Sequence, residues 1–425
     1  MKKKLLSLLL CVVMVVAAVA VLVACETEDY DYEITVWVGE GMKDLTAQQI
    51  KTFNETNEDG IKFKATIEIQ SESKAVGNME GLPMNSWPDI FCFAQDTLAR
   101  AVTKGMLHQL NDRSIEAIAN NNTDESVTAA TIGTMVRAFP MTADNGYFMY
   151  YDKSVITNPD HLDSLEDLIA DCRAAGKMFT MNLAGTGAGW YAASFFYATD
   201  KDGNSLCKSE WPTNNDGKFT ASYDDTFYSD NGVIALQGIK KLLEAEGVHH
   251  DAASAEDFSA SIPSAVVVSG IWDYNTASKA LGSNLGIAPL PKFEVNGEKY
   301  QLASYRGYKF MGVRRQTDAY KAAYLQRLAT YLTGAECQQA RFNLSGWGPS
   351  AKSLQGLFDE HDALKELKKT AIISQGQYPV GWWTEVVAVT STMKQNIDKG
   401  TIYDAVALKL LLESYNRNLA ALVEA

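Results

Sequence analysis

Ile34-Thr35-Val36-Trp37-Val38 is a short apolar run that stops in the loop Gly39-Glu40-Gly41-Met42-Lys43. The next stretch, Asp44 to Thr56, places Leu45, Ile50 and Phe53 at near-helical intervals and breaks near Gly60. Ile61 to Ile69 alternates apolar and polar residues, as a half-buried strand does. Trp87-Pro88-Asp89 then punctuates the entry to Ile90-Phe91-Cys92-Phe93-Ala94, a continuous apolar run of buried-strand type. Strands alternating with helical stretches imply βαβ units and a parallel sheet, so the chain is read as α/β.

Beyond this nucleus the pattern continues with different punctuation. Phe139-Pro140-Met141-Thr142-Ala143 leads through Asp144-Asn145-Gly146 into an aromatic strand, Tyr147 to Tyr151. Ser164-Leu165-Glu166-Asp167 has the spacing of a capping box and predicts a helix that stops at Gly176. Residues 200–231 are rich in Asp, Asn, Gly and Ser, but lack the distal Glu of a calcium loop, so a hairpin turn is the reading. Val233 to Leu243 reads as an amphipathic helix and Ser264 to Trp272 as a buried strand. Two prolines within Ile287-Ala288-Pro289-Leu290-Pro291 cannot sit centrally in a sheet, which predicts that the chain leaves one domain for another there. Gly346-Trp347-Gly348-Pro349 is a second loop of that kind, and Ile397 to Leu422 reads as a terminal helix.

A chain of 425 residues has room for two or three domains, and 46% hydrophobic residues suffice for proper cores. Lys plus Arg total 38 against 52 Asp plus Glu, a net charge of −14. No basic stripe offers itself to phosphates, which excludes nucleic acid as a partner. Only residues 1–25 are apolar enough to enter a bilayer. Lys2, Lys3 and Lys4 precede the run Leu5 to Ala24, as in an export signal, and Leu22-Val23-Ala24-Cys25 resembles a bacterial lipobox. The expectation is a cleaved leader with a lipid on Cys25, followed by an acidic tether at 26–33. Cys92, Cys172, Cys207 and Cys337 lie far apart without metal-ligand spacing and read as buried small apolar residues. His249-His250-Asp251 reads as a solvated terminus, so neither metal nor cofactor is expected.

The order of landmarks resembles an extracellular solute-binding protein of an ABC importer, most of all the maltose/maltodextrin-binding branch. Trp37-Val38, Pro88-Asp89-Ile90, Phe93-Ala94-Gln95-Asp96, Ala138-Phe139-Pro140-Met141, Gly270 with Trp272, Ile287 to Pro291 and Gly334-Ala335-Glu336 carry the likeness. The resemblance implies a type II periplasmic-binding-protein-like fold: two lobes, each a mixed sheet flanked by helices, closing on a ligand in the cleft. Lobe one would take 33–142 and 293–343, lobe two 146–288 and 348–425, with hinges near 142–146, 288–292 and 343–348. It further implies a monomer that captures a carbohydrate, a malto-oligosaccharide, and delivers it to the importer's transmembrane subunits without altering it.

By the same likeness the ligand residues would be Glu40, Phe93, Asp96, Asp144, Asn145, Trp190, Trp272, Tyr274, Trp382 and Trp383. The residue types suit the task, because sugars present apolar C–H faces to aromatic platforms and hydroxyl rims to carboxylates and amides. Departures from the maltodextrin pattern are Phe93 in place of Trp, Thr97 in place of Arg, and Gly185-Thr186-Gly187-Ala188-Gly189-Trp190 in place of an acid-Pro-Tyr loop. Trp272 and Phe93 adjoin apolar strands, where core packing competes with cleft exposure. Arg306 stands open between the cleft and a surface acid. Other readings remain: a binder of another oligosaccharide, an amino acid or a peptide, or a secreted glycoside hydrolase using a pair among Glu40, Asp96 and Asp144.

Overall fold

The computed structural model describes residues 29–210, 224–251, 253–371 and 383–424. The chain runs β1 (Tyr32–Val38), α1 (Lys43–Thr56), β2 (Phe63–Ile69), β3 (Ile90–Ala94) and β4 (Phe139–Asn145). It continues with β5 (Phe148–Asp152), α2 (Leu165–Ala174), β6 (Met178–Thr180), α3 (Ala188–Phe196), α4 (Asp230–Glu244), β7 (Val248–His249) and β8 (Ser264–Ser269). Then come α5 (Tyr274–Leu281), β9 (Leu285–Ala288), β10 (Lys292–Val295), β11 (Glu298–Gln301) and β12 (Gly307–Val313). Helices follow to the end of the described residues, among them α6 (Ala319–Leu332), α7 (Ala335–Ser345), α8 (Trp383–Ile397) and α9 (Ala405–Glu424).

Two five-stranded mixed sheets result, in the orders β2-β1-β3-β12-β4 and β7-β6-β8-β5-β9. In the first, β1 pairs parallel with β2 and β3, and β12 runs antiparallel between β3 and β4. Every residue of β3 is buried, as its unbroken apolar run demands. Each sheet has helices on its faces, so the architecture is the two-lobed α/β one. Ser164 caps α2 by accepting from the Asp167 N–H, and Gly176 ends the turn beyond it at φ +67°, which glycine adopts freely. The terminal helical run is two helices rather than one, broken at Gly400 with φ +86°. Leu408, Leu412 and Leu419 are its buried face. Cys92, Cys172, Cys207 and Cys337 are buried free thiols. No helix among the described residues is long and apolar enough to cross a membrane.

One boundary differs from expectation. Pro289 and Pro291 do end β9, but β9 is an edge strand of the second sheet, where proline is tolerated. The chain stays with that lobe through the hairpin β10–β11. Phe293 packs on Phe195 at 5.0 Å, and the Thr199 N–H donates to the Gln301 carbonyl at 2.9 Å. The passage to the first sheet comes at 302–306, immediately before β12, so 293–301 belongs with lobe two.

The chain therefore passes between the sheets at 146–147 and at 302–306, and the loop 346–348 after α7 lies against the first of these. These segments are stitched to one another. The Tyr147 N–H donates to Ser304 Oγ at 2.8 Å. Asp144, fully buried, accepts from the Gly348 N–H at 2.7 Å and from Thr142 Oγ1 at 2.6 Å, while the Ala143 N–H donates to the Gly348 carbonyl at 2.8 Å. Burial pushes the Asp144 carboxyl above its ordinary range, opposed by Lys309 and these hydrogen bonds. Asp144→Ala strands a buried N–H and a hydroxyl, so a loss of about 1–3 kcal/mol is expected. Asp144→Asn, which keeps an acceptor for Gly348, should lose less; urea unfolding midpoints distinguish the two.

Candidate functional site

The strand ends at the first sheet's C-terminal edge bring together groups far apart in sequence, where α/β folds place ligand residues. Glu40 is exposed in the loop after β1. Beside it Glu72, in the loop after β2, turns in over Gly39 so closely that a side chain there would meet its carboxylate. The Glu72 carbonyl accepts from the Ala94 N–H at 3.2 Å, tying this loop to the end of β3, and its buried Oε1 has no hydrogen-bond donor. Two residues beyond Ala94, Asp96 opens the short helical turn after β3. The residue is half-buried, and its carboxyl is the enclosed part. Desolvation pushes it up to about 7, against a pull from its own backbone N–H. No cation pairs with Asp96 among the described residues.

The second lobe contributes indoles. Trp190, in the first turn of α3, packs edge-on to Tyr147 at 4.8 Å and stacks on Tyr305 at 5.7 Å with 9° between the rings. Its Nε1–H is buried and meets no acceptor. Trp272 follows β8 and stays 36% exposed, its ring 5.8 Å from Trp190. The indole lies back over Gly270: a Cβ there would stand 2.2 Å from the ring and 2.7 Å from the Gly146 carbonyl oxygen. Gly270 is thus glycine because the platform and the first crossing occupy the space a side chain needs.

Not all expected site residues gather here. Phe93 is fully buried against Phe91 at 5.3 Å and Phe310 at 5.8 Å, because strand alternation puts it on the face covered by Val76 and Leu98. Asp144 is buried with both oxygens engaged, a clasp rather than a ligand contact. Asn145 is buried in register with Gly307 on β12. Tyr274 turns to the far side of the crossing, its ring 4.4 Å from His361. Trp382 lies outside the described residues, as does the Trp383 side chain at the start of α8. Cys25 lies outside them too. The exposed Arg306 has its guanidinium beside the Tyr308 hydroxyl. Reading the sequence missed Glu72, although Gln70-Ser71-Glu72 ends β2 at the same edge as Asp96. Among the described residues no group of acids, His and Cys could hold a metal ion.

Two outcomes follow. An acid raised in the folded state makes the fold bind more protons than the unfolded chain between the ordinary Asp value and about 7. Its destabilising effect is therefore absent at low pH and complete above 7. Asp96→Asn should gain stability over wild type on going from pH 5 to pH 8, read by urea unfolding at both. Gly270→Ala should displace Trp272 and the Gly146 main chain, moving the tryptophan emission and lowering the melting temperature.

Relatives bear on this geometry. The "Galactooligosaccharide-binding protein" of Bacillus subtilis (strain 168) is 27% identical over 342 residues, 76% of this chain and 73% of the relative. A maltodextrin-binding protein from L. casei BL23, solved without ligand, superposes with a TM-score of 0.73 at 18% identity over 92% of this chain and all of its own. A cyclo/maltodextrin-binding protein complexed with maltotetraose superposes with a TM-score of 0.65 at 19% identity, over 93% of this chain and 99% of its own. The sequence profile of the bacterial extracellular solute-binding proteins matches residues 48–371. With that match over most of its length and a two-lobed α/β architecture, the chain belongs to the bacterial extracellular solute-binding protein family.

Proposed function

We infer that the protein captures an oligosaccharide, of the malto type first, between its lobes and passes it unaltered to the transmembrane subunits of an ABC importer. A lipid on Cys25 would hold it, as a monomer, at the outer face of the membrane. The observation that carries the reading is Trp272: a large indole left 36% exposed beside Trp190, lying over Gly270 against the Gly146 carbonyl of the first crossing. Indole faces suit the C–H faces of sugar rings, and carboxylates without counter-cations suit hydroxyl donors. Each stacked ring contributes on the order of 1 kcal/mol and each charge-assisted hydrogen bond about 1.5–3 kcal/mol, which after ordering costs suits micromolar binding.

A galacto-oligosaccharide is the second reading, supported by the Bacillus relative. A carboxylate pair for glycoside hydrolysis finds less support, since the burial of Asp144 withdraws it from any such pair. An amino acid or peptide would call for Arg306 to receive its carboxylate, and that exposed guanidinium stands beside the Tyr308 hydroxyl.

Calorimetry with maltotetraose, galacto-oligosaccharides and an amino-acid panel, on protein lacking residues 1–25, decides between these. Maltotetraose should bind best, with a smaller radius of gyration at saturation as the lobes close. Trp272→Ala should weaken binding by roughly tenfold or more, about 1.4 kcal/mol, at unchanged melting temperature. New reducing ends on incubation would overturn the binding reading.

A further inference from the structure

Strand β12, Gly307-Tyr308-Lys309-Phe310-Met311-Gly312-Val313, is buried at every position, and Lys309 is the single charged residue in it. The strand is central in its sheet, with Lys309 in register with Ala94 on β3 and Thr142 on β4. The register with β4 shifts on both sides of Lys309, between Gly307 and Lys309 and again between Lys309 and Phe310. Bulges of this kind re-aim a side chain, here the one whose charge is most costly to bury.

An ammonium 5% exposed needs a partner, and a carboxylate is the ordinary one. Lys309 makes no ion pair among the described residues. Asp144 feels its charge, but the Asp144 oxygens are engaged by Thr142 and Gly348. Two indoles stand where the acid would be. Lys309 Nζ lies 4.4 Å from the ring centre of Trp347, itself buried in the loop after α7, and 5.6 Å from that of Trp272 in the second lobe. Both distances are within the reach of cation–π attraction, which strengthens with desolvation.

We propose that Lys309 is a positioning residue for the binding platform: from the first lobe its ammonium holds the Trp272 indole of the second against the crossing, fixing the angle at which that ring meets a sugar. Steric packing alone does not set this angle. Gly270 backs only one face of the ring, Trp190 meets it tilted by 39°, and more than a third of it is exposed. The charge supplies the missing restraint and couples the platform's orientation to the relative position of the lobes. The importance of that angle for capture rests on the oligosaccharide reading above; the contact itself does not.

The test uses Lys309→Met, which keeps length and volume, and Lys309→Arg, which keeps the charge. A positive charge over an indole shifts its emission, so Lys309→Met should change the tryptophan spectrum of the protein without sugar, and Lys309→Arg should restore it. The change should shrink in a Trp272→Phe background, as a double-mutant cycle requires. Maltotetraose and galacto-oligosaccharide affinities should fall about five- to tenfold in Lys309→Met and stay within threefold of wild type in Lys309→Arg. An unchanged Lys309→Met spectrum, or an equal change with and without Trp272, overturns the proposal. So does a sugar affinity that Met and Arg weaken alike, or that neither alters. Should no sugar bind the wild-type protein, the oligosaccharide reading falls, and the spectra alone still decide whether Lys309 holds Trp272.

Discussion

A carboxylate sealed from water grips the main chain of another segment, and the site depends on that grip. Asp144 ends the first sheet and holds the Gly348 N–H, while Ser304 receives the Tyr147 N–H from the crossing beside it. Two chain passages between the sheets and the loop after α7 would otherwise be independent, each free to place its neighbouring side chains differently. Joined by hydrogen bonds in a desolvated place, they form one ribbon on which both lobes hang. The indoles pack on this ribbon and the charge of Glu72 is felt by Asp144 within it, although these residues are far apart in sequence.

The electrostatics of the convergence are lopsided. Acids collect at the first sheet's edge without counter-cations, and the desolvation that lifts Asp96 to about 7 is the sign of that imbalance. The one deeply buried ammonium nearby, Lys309, is aimed by its bulges at indole faces instead of at those acids. Oxygen acceptors therefore remain unsatisfied at the edge, Glu72 Oε1 among them. Charge and aromatic surface are kept apart rather than cancelled, which suits a guest with hydroxyl rims and apolar faces.

Much of the fold was legible because burial writes itself into composition. The run Ile90 to Ala94 could only be a strand covered on both faces, and the Ser164 cap and Gly176 stop bracketed α2 within two residues. The same fact misled at Phe93: when both faces are covered, an aromatic near a strand end carries no mark of which cover it meets. The prolines near 290 were rightly kept out of a sheet centre, but an edge strand satisfies that constraint as well as a domain exit does. Lys309 could not be valued from sequence, since its meaning lies in a register shift and in two indoles, one 37 residues before it and one 38 after. The place of Asp96 was legible because it follows directly on the buried run Ile90 to Ala94, at the edge of the sheet.

The buried thiols carry a consequence for the chemistry of the folded molecule. Cys92, Cys172 and Cys207 are pushed up to about 12 and Cys337 to about 11, chiefly by desolvation. Such sulfurs stay protonated at any physiological pH and have no nucleophilic form with which to attack an oxidant or one another. Among the described residues, then, none of these four thiols is poised in the folded protein to form a bridge. The cores themselves act as the antioxidant, and an acquired bridge or sulfenic acid marks a molecule that has come undone.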